Sequence, residues 1–309
     1  MVKDQGRVLF YDQIARNKRN SVFLIIIILA VLLALGYLIG FIVGPAYFTL
    51  IMIAAIIISI LYIWLGYYYS DKIALASVNA VKADPTKYRS LYNSVESMSL
   101  ASGMPMPQVY VMQNPQINAF ATGRDPKHAV VCVTTGSLDK LNKEELEGVI
   151  AHEMSHVANF DIRFMTLVAV LVGMIAIISE IFLRTLWFSG GRDSGGDNDR
   201  GNAIFMIIGI VLAILAPILV YLVQLSISRK REYTADASAV KFTRRPTGLI
   251  SALKKIKAEN EPLTREEASK VSKVTASLFI SNPFTKENVE NMFSTHPPIS
   301  KRISVLERM

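Results

Sequence analysis

Two histidines and a glutamate lie within five consecutive residues, in a His-Glu-x-x-His motif that runs from His152 to His156. On a helix, a spacing of four residues places both imidazoles on one face, within reach of a single tetrahedral metal ion such as Zn²⁺. The carboxylate of Glu153 would lie beside that ion, where it could accept a proton from a metal-bound water. A helix that merely carries two histidines is the alternative, but chance yields this motif in only roughly a few of a thousand shuffled sequences. The motif therefore predicts a catalytic metal site.

A catalytic zinc ion needs a third protein ligand and keeps one further position open for water. Glu232 could be that ligand, and Asp236 lies four residues later on the same helical face. Asp236 could accept a hydrogen bond from the free ring nitrogen of a zinc-bound histidine. A solvated acidic pair that balances Arg229 and Arg231 is the other interpretation. The spacing alone does not decide between them.

The motif is expected on a helix over residues 141–161, because apolar residues recur there at helical spacing and Asn142 is a typical N-cap. Three short β-prone runs precede it, at residues 108–112, 117–121 and 128–134, with turn-forming segments between them. The economical prediction is a small antiparallel β-meander whose last strand leads into the helices.

About half of the chain, 51%, is hydrophobic, and residues 20–70 contain no charged side chain. Because a membrane helix needs about 20 apolar residues, this stretch predicts helices at residues 22–43 and 47–69, with a break at Gly44-Pro45. Two further apolar stretches, at residues 164–183 and 203–227, predict a second hairpin. The expected fold is a mainly α-helical membrane protein with two transmembrane hairpins, four helices in all, and an α+β, zincin-like catalytic domain.

Five basic residues precede the first apolar stretch, and three, at positions 229–231, follow the fourth. The positive-inside rule therefore predicts a multi-pass protein of the cell membrane whose termini and polar segments face the cytoplasm. The net charge is +8, but the basic residues form no stripe interleaved with aromatics, so nucleic acid is not an expected partner. The lipid bilayer is one, because of the apolar stretches. The predicted parts are an N-terminal cytoplasmic segment at 1–20, the hairpins at 21–70 and 163–227, and two cytoplasmic catalytic parts at 71–162 and 228–309.

Four ordered motifs resemble those of the HtpX family of membrane zinc peptidases, and they are similar to those of the CAAX prenyl proteases. They are the His-Glu-x-x-His motif, Arg-Glu-x-x-Ala-Asp at 231–236, Asn-Ala-Phe at 118–120 and Thr-His-Pro-Pro at 295–298. The resemblance implies one zinc ion per chain, held by His152, His156 and Glu232. It further implies that Glu153 is the general base and that Asp236 supports a zinc-bound histidine.

The resemblance also implies roles for two other motifs. Asn118, Ala119 and Phe120 would form an edge strand above the zinc, to which an extended protein or peptide substrate adds as a further strand. His296 would donate a hydrogen bond to the developing oxyanion, on a backbone held rigid by the two prolines that follow it. Ordinary strand packing and a plain loop histidine are the respective alternatives.

The function implied is a zinc-dependent integral-membrane endopeptidase that cleaves misfolded or membrane proteins at the cytoplasmic face, in membrane protein quality control and the stress response. Prenylated peptides are less expected, because the CAAX branch has more membrane segments than the four predicted here. A zinc-dependent scaffold is the competing hypothesis from another class. A channel is disfavoured, because the apolar segments lack paired polar residues along one face. The sequence does not indicate an oligomeric state.

Two further residues, Glu180 and Cys132, are predicted to have structural rather than functional roles. Glu180 lies near the end of the third apolar stretch, where an ionisable group is a functional candidate, but anchoring at the membrane interface by pairing with Arg184 is favoured. Cys132 is the only cysteine, so an intrachain disulfide is impossible, and its apolar neighbours favour a buried strand residue over a nucleophile.

Overall fold

A computed structural model describes residues 10–170, 229–259, 278–280 and 297–309 of the chain. These residues form helices around one small sheet. The helices are α1 (Phe10–Val43), α2 (Pro45–Tyr68), α3 (Ser70–Ser77), α4 (Arg89–Ser102), α5 (Thr135–Lys140), α6 (Lys143–Ala158), α7 (Arg229–Thr243), α8 (Thr247–Glu259) and α9 (Ile299–Leu306), and the strands are β1 (Val81–Lys82), β2 (Gln108–Met112), β3 (Ala119–Gly123) and β4 (Ala129–Thr134).

The first two helices form the predicted apolar hairpin. They separate at Gly44, whose φ of +115° is one that other residues rarely adopt, and Pro45 begins α2. Both are long and apolar enough to cross a membrane, over Asn17–Phe41 and Pro45–Tyr68. Helix α1 begins at Phe10, well before the predicted start near residue 22, so its polar first turns extend beyond the apolar span.

The predicted second hairpin lies mostly outside the described residues. Its first part, residues 164–170, is helical. Phe164, Leu167 and Val168 form a buried apolar cluster with Leu24 of α1 and Tyr62 of α2. The chain that follows the motif helix therefore packs directly against the first hairpin.

The prediction of an antiparallel meander is wrong, because the sheet is mixed. Its strand order is β1-β2-β4-β3, and β4 is parallel to β2 but antiparallel to β3. Strand β3 therefore does not pair with β2, and β4 lies between these two strands. All six residues of β4 are buried, and such an uninterrupted apolar run is typical of a central strand that is covered on both faces.

Two apolar cores cover the two faces of the sheet. On one face Val111, Val131 and Val133 pack in a cluster with residues of α4, α6, α8 and α9. On the other, Phe120 and Cys132 pack in a cluster with residues of α3 and with Phe279. Cys132 is fully buried, as predicted for a strand residue.

Helix α6, which carries the His-Glu-x-x-His motif, is fixed at its start and along its length. Asn142 and Glu145 form a capping box, each side chain accepting the other's backbone N–H. Glu145 also accepts hydrogen bonds from Ser251 and Lys255 of α8. The helices approach so closely that a Cβ atom on Gly148 would lie 2.6 Å from a backbone nitrogen of α8. The predicted helix and its cap are confirmed, and α6 is a rigid support for the motif.

Candidate active site

Three buried side chains from α6 and α7 form a cluster that could hold a metal ion. His152 and His156 lie on one face of α6, Glu232 lies in the first turn of α7, and one donor atom from each lies within 4.8 Å of the others. Nε2 of His152 is 3.5 Å from Oε2 of Glu232, and Nε2 of His156 is 3.7 Å from Oε1. Ligand atoms of a tetrahedral zinc ion lie about 3.3 Å apart. Two imidazoles and a carboxylate at these separations fit such an ion.

Glu153 lies on the same helix, beside the cluster and next to the sheet. Its side chain is 2% exposed. Burial raises the pKa of the Glu153 carboxyl, although the charges of His152 and His156 and a hydrogen bond from the backbone N–H of Ala121 act in the opposite direction. Glu153 is therefore a carboxylate with an increased affinity for a proton, which suits a group that must take up and release one.

His152 has the predicted carboxylate neighbour. Its Nδ1 lies 3.0 Å from Oδ1 of Asp236. Burial and the positive charge of Arg302 oppose protonation of His152, but the hydrogen-bonding carboxylates of Asp236 and Glu232 outweigh them and raise the pKa of His152 to about 9 in the metal-free site. Metal binding requires the neutral imidazole, so uptake of the ion would release that proton.

Arg302, which was not predicted from the sequence, binds Asp236 through two hydrogen bonds. Nε donates to Oδ2 at 2.9 Å and Nη2 to Oδ1 at 2.6 Å, while Nη1 lies 3.6 Å from Oε2 of Glu232. Burial would raise the pKa of the Asp236 carboxyl, but Arg302 and His152 outweigh that effect and lower it. A sequence signal did exist: Arg302 shares a helical face with the apolar residues Ile299 and Leu306, which are buried in α9, and an arginine on such a face must be paired.

His156 also has a carboxylate partner that was not predicted. Nδ1 of His156 lies 3.0 Å from Oδ2 of Asp161, which lies just past the two-residue turn after α6. Each histidine of the motif thus has one carboxylate beside Nδ1, and the Nε2 atoms of both lie near Glu232. This arrangement is typical of metal-binding histidines, whose second nitrogen is oriented by a carboxylate.

The Asn-Ala-Phe motif lies at the beginning of β3, at the edge of the sheet. The backbone N–H of Asn118 donates to the hydroxyls of Thr134, at the end of β4, and Ser137 in α5. The Ala119 carbonyl instead points outward and accepts a hydrogen bond from the backbone N–H of Ile280 at 3.0 Å. The ring of Phe120 packs edge-on against Phe279, with centroids 5.2 Å apart. The expected edge strand is present, but the chain's own segment at residues 278–280 already contacts it.

The remaining predicted residues have no described position. His296, Glu180 and Arg184 lie outside the described residues. Pro297 and Pro298 are described, and Pro298 is the N-cap residue of α9. The Thr-His-Pro-Pro motif therefore leads directly into the helix that carries Arg302.

Comparison with known proteins identifies the family. Residues 85–309 match Peptidase family M48. The chain is 47% identical to a protease HtpX homolog of Caldanaerobacter subterraneus subsp. tengcongensis, over 97% of both chains. It is 45% identical to one of Thermoanaerobacter pseudethanolicus, over 98% of this chain and 99% of the relative. The crystal structure of S. mikatae Ste24p aligns with 97% of this chain and 66% of its own, at 19% identity and a TM-score of 0.49. The chain therefore belongs to peptidase family M48 and is a metalloendopeptidase of the HtpX type.

Proposed function

We propose that this membrane-associated protease is a zinc-dependent endopeptidase that cleaves unfolded or membrane-inserted proteins at the cytoplasmic face. The observation that carries the proposal is the buried cluster of His152, His156 and Glu232 with Glu153 beside it. Two imidazoles and one carboxylate are a ligand set that catalytic zinc uses in proteases. One zinc ion per chain would complete the site.

The chain's own residues suit peptide hydrolysis. A bound zinc ion would lower the pKa of its water towards about 7 and polarise the scissile carbonyl. Glu153 would accept a proton at its carboxylate and later donate it to the leaving amine. Asp236 and Asp161 would hold the two imidazoles in place through their Nδ1 atoms. We assign the oxyanion role to His296 on the family resemblance alone.

The outer edge of β3 is the proposed binding site for the substrate backbone. The Ala119 carbonyl and the Ala121 N–H both point away from β4, and the Ala121 N–H contacts Glu153. A substrate strand added to this edge would place a peptide bond next to the general base, in competition with Ile280 for the Ala119 carbonyl. Because backbone pairing senses only alternate side chains, we expect broad specificity.

Helix α1 supports the proposed orientation in the membrane. Lys18 and Arg19 are exposed at the start of its apolar span. Asn17, next to them, contacts Asp161, which lies just past the turn that ends the motif helix. These contacts support a catalytic site on the same side of the membrane as the basic end of α1, and basic residues flanking a membrane helix favour the cytoplasmic side. A multi-pass enzyme with this orientation suits the quality control of membrane proteins under stress.

Removal of the metal is the direct test of zinc dependence. The detergent-purified chain is expected to cleave unfolded casein, to lose this activity in a chelator, and to regain it with stoichiometric Zn²⁺ but not with Mg²⁺, which prefers an oxygen-only octahedral site. Casein fragments on a gel and zinc by mass spectrometry would be followed together. Cleavage that persists in protein shown to be zinc-free would refute the proposal.

A further inference from the structure

A buried network joins the first apolar helix to the candidate metal site. Oδ1 of Asp161 accepts a hydrogen bond from Nδ2 of Asn17 at 2.5 Å, while Oδ2 lies 3.0 Å from Nδ1 of His156. The same Asn17 amide donates to the carbonyl of Asn159 at 3.1 Å. Asn17, His156 and Asp161 are each at most 5% exposed. One amide on α1 therefore binds both the turn after α6 and the carboxylate partner of a candidate zinc ligand.

The hydrogen bond from Asn17 determines which way Asp161 faces. The guanidinium of Arg231 is also close, with Nη1 at 4.0 Å from Oδ1 of Asp161. With Asn17 bound to Oδ1, the other oxygen is directed at His156. An imidazole that donates from Nδ1 to this oxygen keeps its Nε2 lone pair for the metal, and that Nε2 lies 3.7 Å from Glu232. If Asn17 were lost, Asp161 could turn towards Arg231 and release the ring of His156.

A second set of contacts holds the turn itself against α1. Phe160, between Asn159 and Asp161, has a φ of +57°, a value that bulky residues rarely adopt. Nζ of Lys18 lies 4.5 Å from the centre of the Phe160 ring, and the guanidinium of Arg163 lies 5.6 Å from it. These contacts are cation–π interactions. Adjacent residues of α1 thus bind the turn on which Asp161 is placed.

We propose that Asn17 is a positioning residue for the metal site, acting through Asp161 on His156, so that the seating of α1 against this turn sets the affinity for zinc. The proposal rests on the zinc site proposed above. It adds a role for the start of a membrane helix, far in sequence from the motif. Withdrawal of α1 from the turn would weaken metal binding without any change in the ligands themselves.

The test is a double-mutant cycle in zinc affinity, measured on the full-length chain in detergent by competition with a chelator of known affinity. Asn17→Asp keeps the volume but sets a carboxylate against Asp161, and Asn17→Leu removes the donor. We expect each to raise the zinc Kd by about 10-fold, and Asp161→Asn to raise it by about 10- to 100-fold. Asn17→Leu should add nothing in the Asp161→Asn background, because its effect passes through Asp161.

Two further measurements separate positioning from folding. Ser21→Ala is the matched control, because Ser21 is a buried polar residue one turn along α1 whose hydroxyl donates to the backbone carbonyl of Asn17 and leaves the Asn17 amide untouched. The zinc Kd of this variant should match that of the wild type. With Co²⁺ in place of zinc, the Asn17 variants should show a changed visible spectrum, which reports ligand geometry. Their thermal unfolding in the metal-free form identifies any general loss of stability.

The outcomes distinguish this proposal from the zinc assignment. If the wild type binds one zinc but both Asn17 variants bind it with unchanged Kd and an unchanged cobalt spectrum, the positioning role is refuted and the zinc site stands. Additive effects of Asn17→Leu and Asp161→Asn would equally refute it, because Asn17 would then act independently of Asp161. A wild type that binds no zinc would overturn both.

Discussion

Replacing Glu153 with glutamine is expected to lower the rate of casein cleavage by about 10²- to 10⁴-fold, the usual contribution of a general base, with the zinc content unchanged. Glutamine keeps the shape of the side chain and can still accept the N–H of Ala121, which contacts Glu153. It cannot take up a proton from water. The three proposed ligands are untouched, so the steady-state rate of cleavage should fall while the zinc content, measured on the same sample, stays the same.

Glu147→Gln is the matched control, because Glu147 lies on the same helix and is partly exposed. It should cleave casein at the wild-type rate. A Glu153→Gln enzyme that retains wild-type activity would remove Glu153 from the mechanism. If instead wild type and variant both hold zinc and neither cleaves, or if the variant keeps the full biological effect in cells, the competing scaffold hypothesis gains support.

Replacing Arg302 with methionine is expected to destabilise the metal-free protein by about 3–5 kcal/mol, the range found when one partner of a buried ion pair is removed. Arg302 is fully buried, it donates twice to Asp236, and it lies 3.6 Å from Glu232. Without Arg302, the buried carboxylates of Asp236 and Glu232 lose the positive charge that compensates them. Denaturant unfolding in detergent would measure the change in the free energy of unfolding.

Zinc should reduce that penalty, because a divalent cation compensates the same carboxylates and binds the folded state. We therefore expect a smaller destabilisation of Arg302→Met in the zinc-loaded protein than in the metal-free one. Arg308→Met, at an exposed position of the same C-terminal region, should be nearly neutral in both forms. An equal loss of stability with and without zinc would show that Arg302 supports the fold independently of the metal site.

Local sequence signals predicted the elements that carry the site. The N-cap of α6 at Asn142 and the helical break at Gly44-Pro45 depend on neighbouring residues only, and both lie where the sequence indicated. Strand order depends on long-range packing, which turn-forming residues between short strands do not report. The complete burial of β4 corresponds to an apolar run that the sequence shows plainly, and that run favours a central strand over the end of a meander.

Apart from Asp236, the residues that surround the motif histidines were harder to predict, because two of them are distant in sequence. Arg302 is 150 positions from His152, and Asn17 is 144 from Asp161. Asp161 is only five positions from His156, but a carboxylate next to a helix end has many ordinary uses. For such residues the useful signal is a polar side chain on an otherwise buried face, since it must have a partner within the fold.

X-ray absorption at the zinc edge of the purified wild type would identify the ligands of the bound ion. We expect one zinc per chain with only nitrogen and oxygen neighbours, at about 2.0–2.2 Å, including the multiple-scattering signature of two imidazoles. A sulfur neighbour at about 2.3 Å, fewer than two imidazoles, or a spectrum unchanged in Glu232→Ala would contradict the assignment of His152, His156 and Glu232 as the zinc ligands.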